Sequence, residues 1–260
     1  MPGLAGRRAS VEMMAGAVAD PPAPGTAAPG LPGEAAAGSS AGQVHGDVLL
    51  SVDGISFSYP NGTQAIEALS LDINAGRIFG IVGPSGCGKS TLLHLLSGLS
   101  DPTAGRITHP GPDAPGRHFL TMVFQQDTLL PWLRVIDNVK LYFRYHAHDK
   151  REIDERARWL LEMVGLADAA ALYPYQLSGG MRRRVAFLSA IAPFPQVLLL
   201  DEPFSSLDEP TRVAIHQDVF DILRRLGIAT VIVTHDLAEA ASLCDEVAIF
   251  SARPARMAAR

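Results

Sequence analysis

The sequence predicts an α/β architecture: a mainly parallel sheet core, an antiparallel β subdomain ahead of it and a helical subdomain let into its middle. Three observations lead there. Short apolar runs rich in branched residues alternate with stretches of helical spacing along most of the chain. A glycine-rich loop stands between a strand pattern and a helix pattern, the order a βα unit requires. The chain has 260 residues, 47% of them hydrophobic, enough for one substantial core.

The elements follow in chain order. More than half of residues 1–45 are Ala, Gly or Pro and none is aromatic, so this stretch cannot bury enough surface to offset its ordering entropy and reads as a disordered tail. Arg7 and Arg8 ahead of a weakly apolar region resemble a secretory signal only faintly, since Glu12 interrupts it, and a start at Met13 or Met14 is an alternative. Runs over 48–59 and 66–73, separated by Pro60, Asn61 and Gly62, read as an opening hairpin. Residues 77–82 form a buried strand that leads into the glycine loop, and leucines at helical spacing follow over 91–96. After a Pro/Gly-rich excursion over 109–116, a strand over 119–124 ends at Gln125 and a mainly helical stretch runs from 135 to about 172. A strand over 197–200 ends in Asp201 and Glu202; a helix over 213–226, a strand over 229–234 and a short helix from Asp236 complete the series. Such alternation calls for parallel strands with helices on both faces. One domain over 46–255 is expected, with a helical insert at about 126–185 and a C-terminal tail over 256–260. The short stretch after Pro254 leads us to expect no fused regulatory domain.

Composition excludes several classes. A net charge of -5, from 22 Lys+Arg against 27 Asp+Glu, offers no cationic field to nucleic acid or an acidic membrane, so nucleic acid is not an expected partner. Cys87 and Cys244 stand far apart, which supports neither a disulfide framework nor a four-ligand zinc site and suits a reducing compartment. The longest apolar runs, such as 228–234, have strand length rather than the roughly 18 to 20 residues that span a bilayer. Any membrane role would work through another protein.

Gly83-Pro84-Ser85-Gly86-Cys87-Gly88-Lys89-Ser90 fits the pattern G-x-x-x-x-G-K-[S/T]. Its glycines let consecutive backbone N–H groups point at phosphate oxygens, and the helix that follows adds the positive end of its dipole. Lys89 then neutralises the β and γ phosphates, and Ser90 offers a hydroxyl to Mg²⁺, which prefers hard oxygen ligands. An ordinary glycine turn with an exposed lysine is the plainer reading; the flanking strand and helix weigh against it. The second piece is the apolar strand that delivers Asp201 and Glu202 at its C-terminal end, the edge where α/β sheets place their sites. Asp201 is expected to support Mg²⁺ directly or through water. Glu202, turned to the opposite side by alternation along an extended chain, is left to polarise an attacking water. Two surface carboxylates closing a strand are the alternative.

Leu177-Ser178-Gly179-Gly180-Met181, shortly before that strand, resembles the signature motif of ATP-binding cassette (ABC) proteins. A serine and two glycines opening a helix over 181–190 also form, physically, a second anion site; Ser178 capping the helix is compatible with that. The resemblance extends over 48–255, about four-fifths of the chain, with the remaining motifs in the family's order. It implies a phosphate-loop NTPase fold whose helical subdomain carries the signature motif. It also implies a nucleotide-binding set of Tyr59 against adenine with Gly83, Pro84, Ser85, Gly86, Cys87, Gly88, Lys89, Ser90 and Thr91 around the phosphates. Gln125 resembles the glutamine that touches Mg²⁺ and water, so the implied metal residues are Ser90, Gln125 and Asp201. His235 matches the histidine that hydrogen-bonds the γ phosphate, giving a catalytic set of Glu202, His235, Lys89 and Gln125. Ser178, Gly179 and Gly180 are implied to act on the nucleotide of a second protomer, and Asp208, in Ser206-Leu207-Asp208, to communicate between protomers. Tyr59 as a strand tyrosine packed on the core, and His235 as an ordinary strand-end histidine, remain open.

A narrower similarity, to the nitrate, sulfonate and taurine branch of bacterial importers, lies in Val123-Phe124-Gln125-Gln126-Asp127, Leu129-Leu130-Pro131-Trp132-Leu133, Asn138-Val139 and Ser178-Gly179-Gly180-Met181-Arg182. Leu130-Pro131-Trp132 then forms either the pocket that receives a permease's coupling helix or core packing of the insert. Arg183 stands where glutamine is usual, Ser189 where arginine is common and Gln126 where an acidic residue is frequent. These departures spare the phosphate and metal contacts and bear on interdomain geometry and ATPase rate.

The function so implied is that of the ATP-hydrolysing subunit of a bacterial ABC importer, coupling Mg-ATP binding and hydrolysis to uptake of a small solute such as nitrate, a sulfonate or taurine. Its implied partners are a second copy or a second ATPase subunit, packed head to tail, integral-membrane permease subunits and, indirectly, an external solute-binding protein. Its place would be peripheral, at the cytoplasmic face of the inner membrane. Three rivals belong beside it. A non-transport cassette ATPase acting on nucleic acid or the ribosome is disfavoured by the single cassette and negative charge. A phosphate-loop kinase is disfavoured by the signature motif and Gln125. An inactive homologue is disfavoured by the presence of Lys89, Asp201, Glu202 and His235.

Overall fold

The computed structural model describes residues 48–109, 119–125, 128–145, 149–205 and 208–259. The 1–45 stretch, residues 110–118 of the Pro/Gly excursion, Gln126, Asp127, Ser206, Leu207 and Arg260 lie outside the described residues. β1 (Val48–Ser58) and β2 (Gln64–Asn74) pair antiparallel across the turn at Pro60, Asn61 and Gly62, as the hairpin reading expects. β4 (Ala104–Thr108) joins the other edge of β1. That strand is absent from the sequence reading, because Gly105 and Arg106 interrupt its apolar pattern and almost all of it is exposed.

The second sheet contains β3 (Ile78–Val82), β5 (Leu120–Val123), β6 (Val197–Asp201), β7 (Ala229–Thr234), β8 (Glu246–Phe250) and β9 (Met257–Ala259). Their order is β5-β6-β7-β3-β8-β9, parallel throughout except for the last pair. Every residue of β3 and β7 is buried, the pattern of strands covered on both faces. Parity along the strands then separates two cores. Val197, Leu199, Val231, Val233, Phe79 and Ile81 face one side, with Leu92 and Leu93 of α1 (Lys89–Leu96) and the apolar rows of β1 and β2. Leu198, Leu200, Ile232 and Ile78 face the other, with Leu160 of α3 (Lys150–Met163), Leu188 of α4 (Gly179–Ile191) and Val219 and Leu223 of α5 (Glu209–Leu226). Helices thus lie on both faces as expected, and on the first face α1 shares the cover with the antiparallel sheet. The reason is that β1 and β2 present Leu50, Val52, Ile55, Leu69, Leu71 and Ile73, an apolar row that needs a partner as much as the sheet does.

Short elements complete the insert: α2 (Val135–Val139) and single 3-10 turns at Leu141–Tyr145, Ala167–Ala169 and Pro174–Gln176. Helix ends follow local chemistry. Asp208 caps α5, Pro210 sits in its first turn, and Gly227 closes it in the left-handed conformation at φ 62°. Residues 257–259, expected as part of a tail, instead form β9 on the edge of β8, where they take up hydrogen bonds that an open edge would leave to water. Among the described residues, no helix is long and apolar enough to cross a membrane.

Candidate functional site

β6, β7 and β3 are adjacent, so the chain segments leaving their C-terminal ends meet. From β3 comes the glycine loop, which ends in α1. Lys89 is only 5% exposed, and its ammonium donates to the carbonyls of Gly83 at 2.8 Å and Pro84 at 3.1 Å, inside the loop's own curve. Gly88 has φ 125°, and a Cβ there would stand 2.7 Å from the carbonyl oxygen of Ala65, so the position admits glycine alone. No side chain caps α1, which leaves its first amides to the loop's concave side.

From β6 come the two carboxylates. The Ser90 hydroxyl donates to Asp201 Oδ1 at 3.1 Å. Burial holds the Asp201 carboxyl above its ordinary range; the bond from Ser90 works against that shift and the charge of Glu202 adds to it. Two hard oxygens beside a desolvated carboxyl are a donor set that suits Mg²⁺, which takes few protein ligands and completes its shell with phosphate and water. Among the described residues, no cluster of three or more His, Cys, Asp or Glu could hold a metal by itself.

Glu202 departs from expectation in its backbone. It does not continue the strand's alternation: it has φ 41°, in the left-handed region that non-glycine residues seldom adopt, and its N–H goes to the carbonyl of Val233 on β7. This turn, and not the pleat, carries its carboxylate to His235 at the end of β7, with 3.3 Å between Oε2 and Nδ1. His235 is exposed, but the residues on either side of it are anchored. Thr234 accepts from the N–H of Asp236 at 3.0 Å and donates to Glu239, whose other oxygen lies 2.9 Å from His216 Nε2 on α5. Asp236 caps α6 (Leu237–Leu243).

Tyr59 follows β1 and stands edge-on to Phe57, with ring centroids 5.1 Å apart; its hydroxyl shares a 2.7 Å bond with Thr91. More than a third exposed, the ring opens onto a cleft of about 250 Å³ lined by the loop, Lys89, Ser90, Thr91, Glu202 and Arg253. Gln125 flanks the cleft: its amide donates to Ser205 Oγ at 3.3 Å, and that hydroxyl donates to the carbonyl of Glu202 at 3.1 Å.

The signature residues do not line this chain's own cleft, as described. Ser178 caps α4, accepting from the N–H of Met181 at 3.2 Å. Gly180 is required by packing, since a Cβ would meet Thr211 Cγ2 at 2.8 Å, whereas at Gly179 nothing among the described residues stands nearer than an Arg182 guanidinium nitrogen at 3.9 Å. Asp208 accepts from Thr211 N and Oγ1 as the α5 cap. Leu130 is held by buried Asn138, Pro131 is exposed and Trp132 is 70% exposed, so the Pro-Trp pair lies on the surface and not in the insert's core.

Three groups escape the sequence reading. Arg253 lies 167 residues from the loop it touches, a separation no local pattern spans. His216 and Glu239 sit in ordinary helical contexts. Arg183, noted only as a departure, is 3% exposed; it donates from Nη2 to the carbonyl of Phe124 at 3.0 Å and from Nε to that of Pro203, tying the residues beside Gln125 and Glu202 together. The hydroxyl of Ser189, the other departure, merely donates to the carbonyl of Val185 one turn back.

Comparisons with known proteins bear on the family and the fold. A family profile described as ABC transporter matches residues 66–205. The chain is similar to the sulfate/thiosulfate import ATP-binding protein CysA 2 of Chromobacterium violaceum, 44% identical over 192 residues that span 72% of this chain and 52% of that protein. It is similar to the nitrate import ATP-binding protein NrtC of Synechococcus elongatus, 39% identical over 221 residues that span 80% of this chain and 33% of that one. The chain therefore covers about half or less of the length of these relatives. Among solved structures, cbiO1 from Clostridium perfringens, part of the ABC transporter complex cbiONQ, matches with a TM-score of 0.71 at 28% identity, covering 78% of this chain and 84% of that one.

Proposed function

This chain belongs to the ABC transporter family and has its phosphate-loop α/β fold, and from that premise we propose that it is the ATP-hydrolysing subunit of an importer. One observation carries the reading: Lys89 and Ser90, Asp201 and Glu202, and His235 leave three neighbouring parallel strands at one edge of the sheet, with Ser90 bonded to Asp201 and His235 beside Glu202. The loop amides and the amide end of α1 receive the triphosphate, and Lys89 exchanges its carbonyl partners for phosphate oxygens. Tyr59, steadied by Thr91, offers its ring to adenine. Ser90 and Asp201, joined by Gln125, would hold Mg²⁺, which when bound offsets charge on the β and γ phosphates. Glu202 orients a water for in-line attack on the γ phosphorus and takes its proton, ADP leaving on the opposite side. His235 donates to the γ phosphate. Gln125 reports on the site through Ser205 and the Glu202 carbonyl.

Ser178, Gly179 and Gly180 act on the nucleotide of a second protomer, in a homodimer or a pair with another ATPase subunit, and Asp208 communicates between the two. The open space over Gly179 supports an approach from outside the chain. Nucleotide binding closes this pair and hydrolysis opens it, a ligand-biased two-state change. The exposed Pro131 and Trp132 support docking of a permease at the cytoplasmic face of the membrane, with a solute-binding protein engaged indirectly. For the solute, the motifs resembling the nitrate, sulfonate and taurine branch point to a small oxyanion or sulfonate, while relatives of comparable identity are named for import of nitrate, sulfate, methionine and polyamines. Purification with the native permease, followed by measurement of which solute stimulates turnover, tests that part.

Glu202→Gln is expected to bind ATP as wild type does, lower turnover by about 10²- to 10⁴-fold and elute as a nucleotide-bound dimer. Lys89→Ala is expected to lose binding first. Near-normal turnover in Glu202→Gln removes that residue from its role, and a wild-type chain that binds no ATP sinks the reading as a whole.

A further inference from the structure

We propose that Arg253, delivered by the segment after β8, is a positioning residue for the phosphate loop: it holds the Gly86 carbonyl from outside and adds a positive charge at the mouth of the nucleotide cleft. This rests on the reading above that the cleft takes a nucleoside triphosphate.

The loop needs such a brace. Gly86 and Gly88 have φ of 74° and 125°, conformations available to glycine because its backbone has little intrinsic preference, so the peptide planes around them are free to rotate. The plane after Gly86 is held at both ends: the N–H of Cys87 donates to the carbonyl of Pro84 at 3.2 Å, and Arg253 Nε donates to the carbonyl of Gly86 at 3.0 Å. Lys89 also holds the loop, through the carbonyls of Gly83 and Pro84, but those bonds compete with phosphate for the same ammonium. When a triphosphate draws Lys89 away, the bond from Arg253 is the one that persists without competition.

Arg253 can do this cheaply because its backbone is already fixed. Ala255 N–H donates to the carbonyl of Ala65 at 2.9 Å, Glu67 N–H donates to the carbonyl of Ala255 at 3.1 Å, and Arg256 pairs with Glu67 at 2.6 Å. The same anchor places the Ala255 methyl 3.3 Å from where a Gly88 side chain would begin, so the segment presses on the loop at two points. The charge balance points the same way. Glu202 lines the cleft and Asp201 stands behind Ser90 at its wall, two carboxylates against the single ammonium of Lys89 before any phosphate enters; Arg253 lines the same cleft and adds a second positive charge.

Binding of a fluorescent ATP analogue and steady-state ATPase kinetics in the full chain, each at low and high salt, test the proposal with Arg253→Gln, Arg253→Ala and Arg253→Lys. The expected result for Gln and Ala is binding weakened and KM raised by about five- to tenfold, with kcat within about twofold of wild type and a flatter salt dependence. Arg253→Lys, which keeps the charge, is expected to recover part of the affinity and the salt dependence. Arg256→Ala, which loosens the anchor and leaves Arg253 in place, is expected to shift KM less than Arg253→Ala does. The proposal is overturned if Arg253→Gln and Arg253→Ala bind ATP as wild type does while Lys89→Ala has lost binding. It is equally overturned if kcat and thermal stability fall with KM unchanged, which would make the contact plain packing. A wild-type chain that binds no ATP instead brings down the parent reading.

Discussion

Arg183→Met removes a buried guanidinium while keeping most of its stem, and so isolates what the tie between the end of β5 and the segment after β6 contributes. Among the described residues two bonds are lost, one to the buried carbonyl of Pro203 and one to that of Phe124, which is partly open to solvent. A hydrogen bond from a charged group nets about 1.5–3 kcal/mol, and a buried acceptor left without a donor costs the upper part of that range. Water can replace the donor at Phe124, so that bond counts for about 1 kcal/mol. Against the sum stands the relief of no longer desolvating a cation. The balance is a loss of about 2–4 kcal/mol, read as a fall in the urea midpoint at unchanged slope. Because Pro203 follows Glu202 and Phe124 precedes Gln125, kcat should fall more than KM rises. Arg183→Gln has a shorter side chain that can serve one carbonyl and should lose about half as much. A midpoint equivalent to within about 0.5 kcal/mol of wild type, with turnover intact, would refute the reasoning.

Three further predictions concern the neighbouring core. At Gly80, inside β3, a Cβ would stand 2.7 Å from Cys244 Sγ, so Gly80→Ala should cost about 1–3 kcal/mol by thermal melting. Cys244→Ala in the same chain should restore part of it; no recovery would place the strain elsewhere. Burial, followed by the charges of Asp245 and Glu239, pushes the Cys244 thiol up to about 12, so this thiol should resist alkylation in the folded protein at pH 8. At Glu239 burial acts to raise the carboxyl, but the hydrogen bonds from His216 and Thr234 together outweigh it, and the net shift is below the ordinary 4.5. Its ionised form therefore adds stability that is complete above pH 4.5 and is lost as pH falls through the folded value. Glu239→Gln should unfold at lower urea than wild type at pH 7, and the gap should close below pH 4.5; a gap that stays constant on acidification would remove the linkage.

The strands that were legible in the sequence are those whose own residues demand burial. β7 is found at Ala229–Thr234, the predicted span, because a run of branched apolar residues between turn signals has one good use. β9 consists of Met257, Ala258 and Ala259, which carry no strand preference, and it exists because the edge of β8 offers hydrogen bonds. The phosphate loop, the Asp201-Glu202 pair and His235 were legible for a related reason: each is a short local order of residue types at a strand's end, and local order is what a sequence displays. Their meeting at one edge of the sheet could be inferred only from the family's order of motifs. Tertiary structure alone decided the rest. The left-handed turn at Glu202 is imposed by a bond to Val233 on the next strand, Arg183 bridges two carbonyls supplied by other elements, and Arg253 reaches Gly86 from 167 residues away. In each case the partner is a backbone carbonyl, which every residue type possesses, so the side chain's destination leaves no mark on the sequence at the place where it lands.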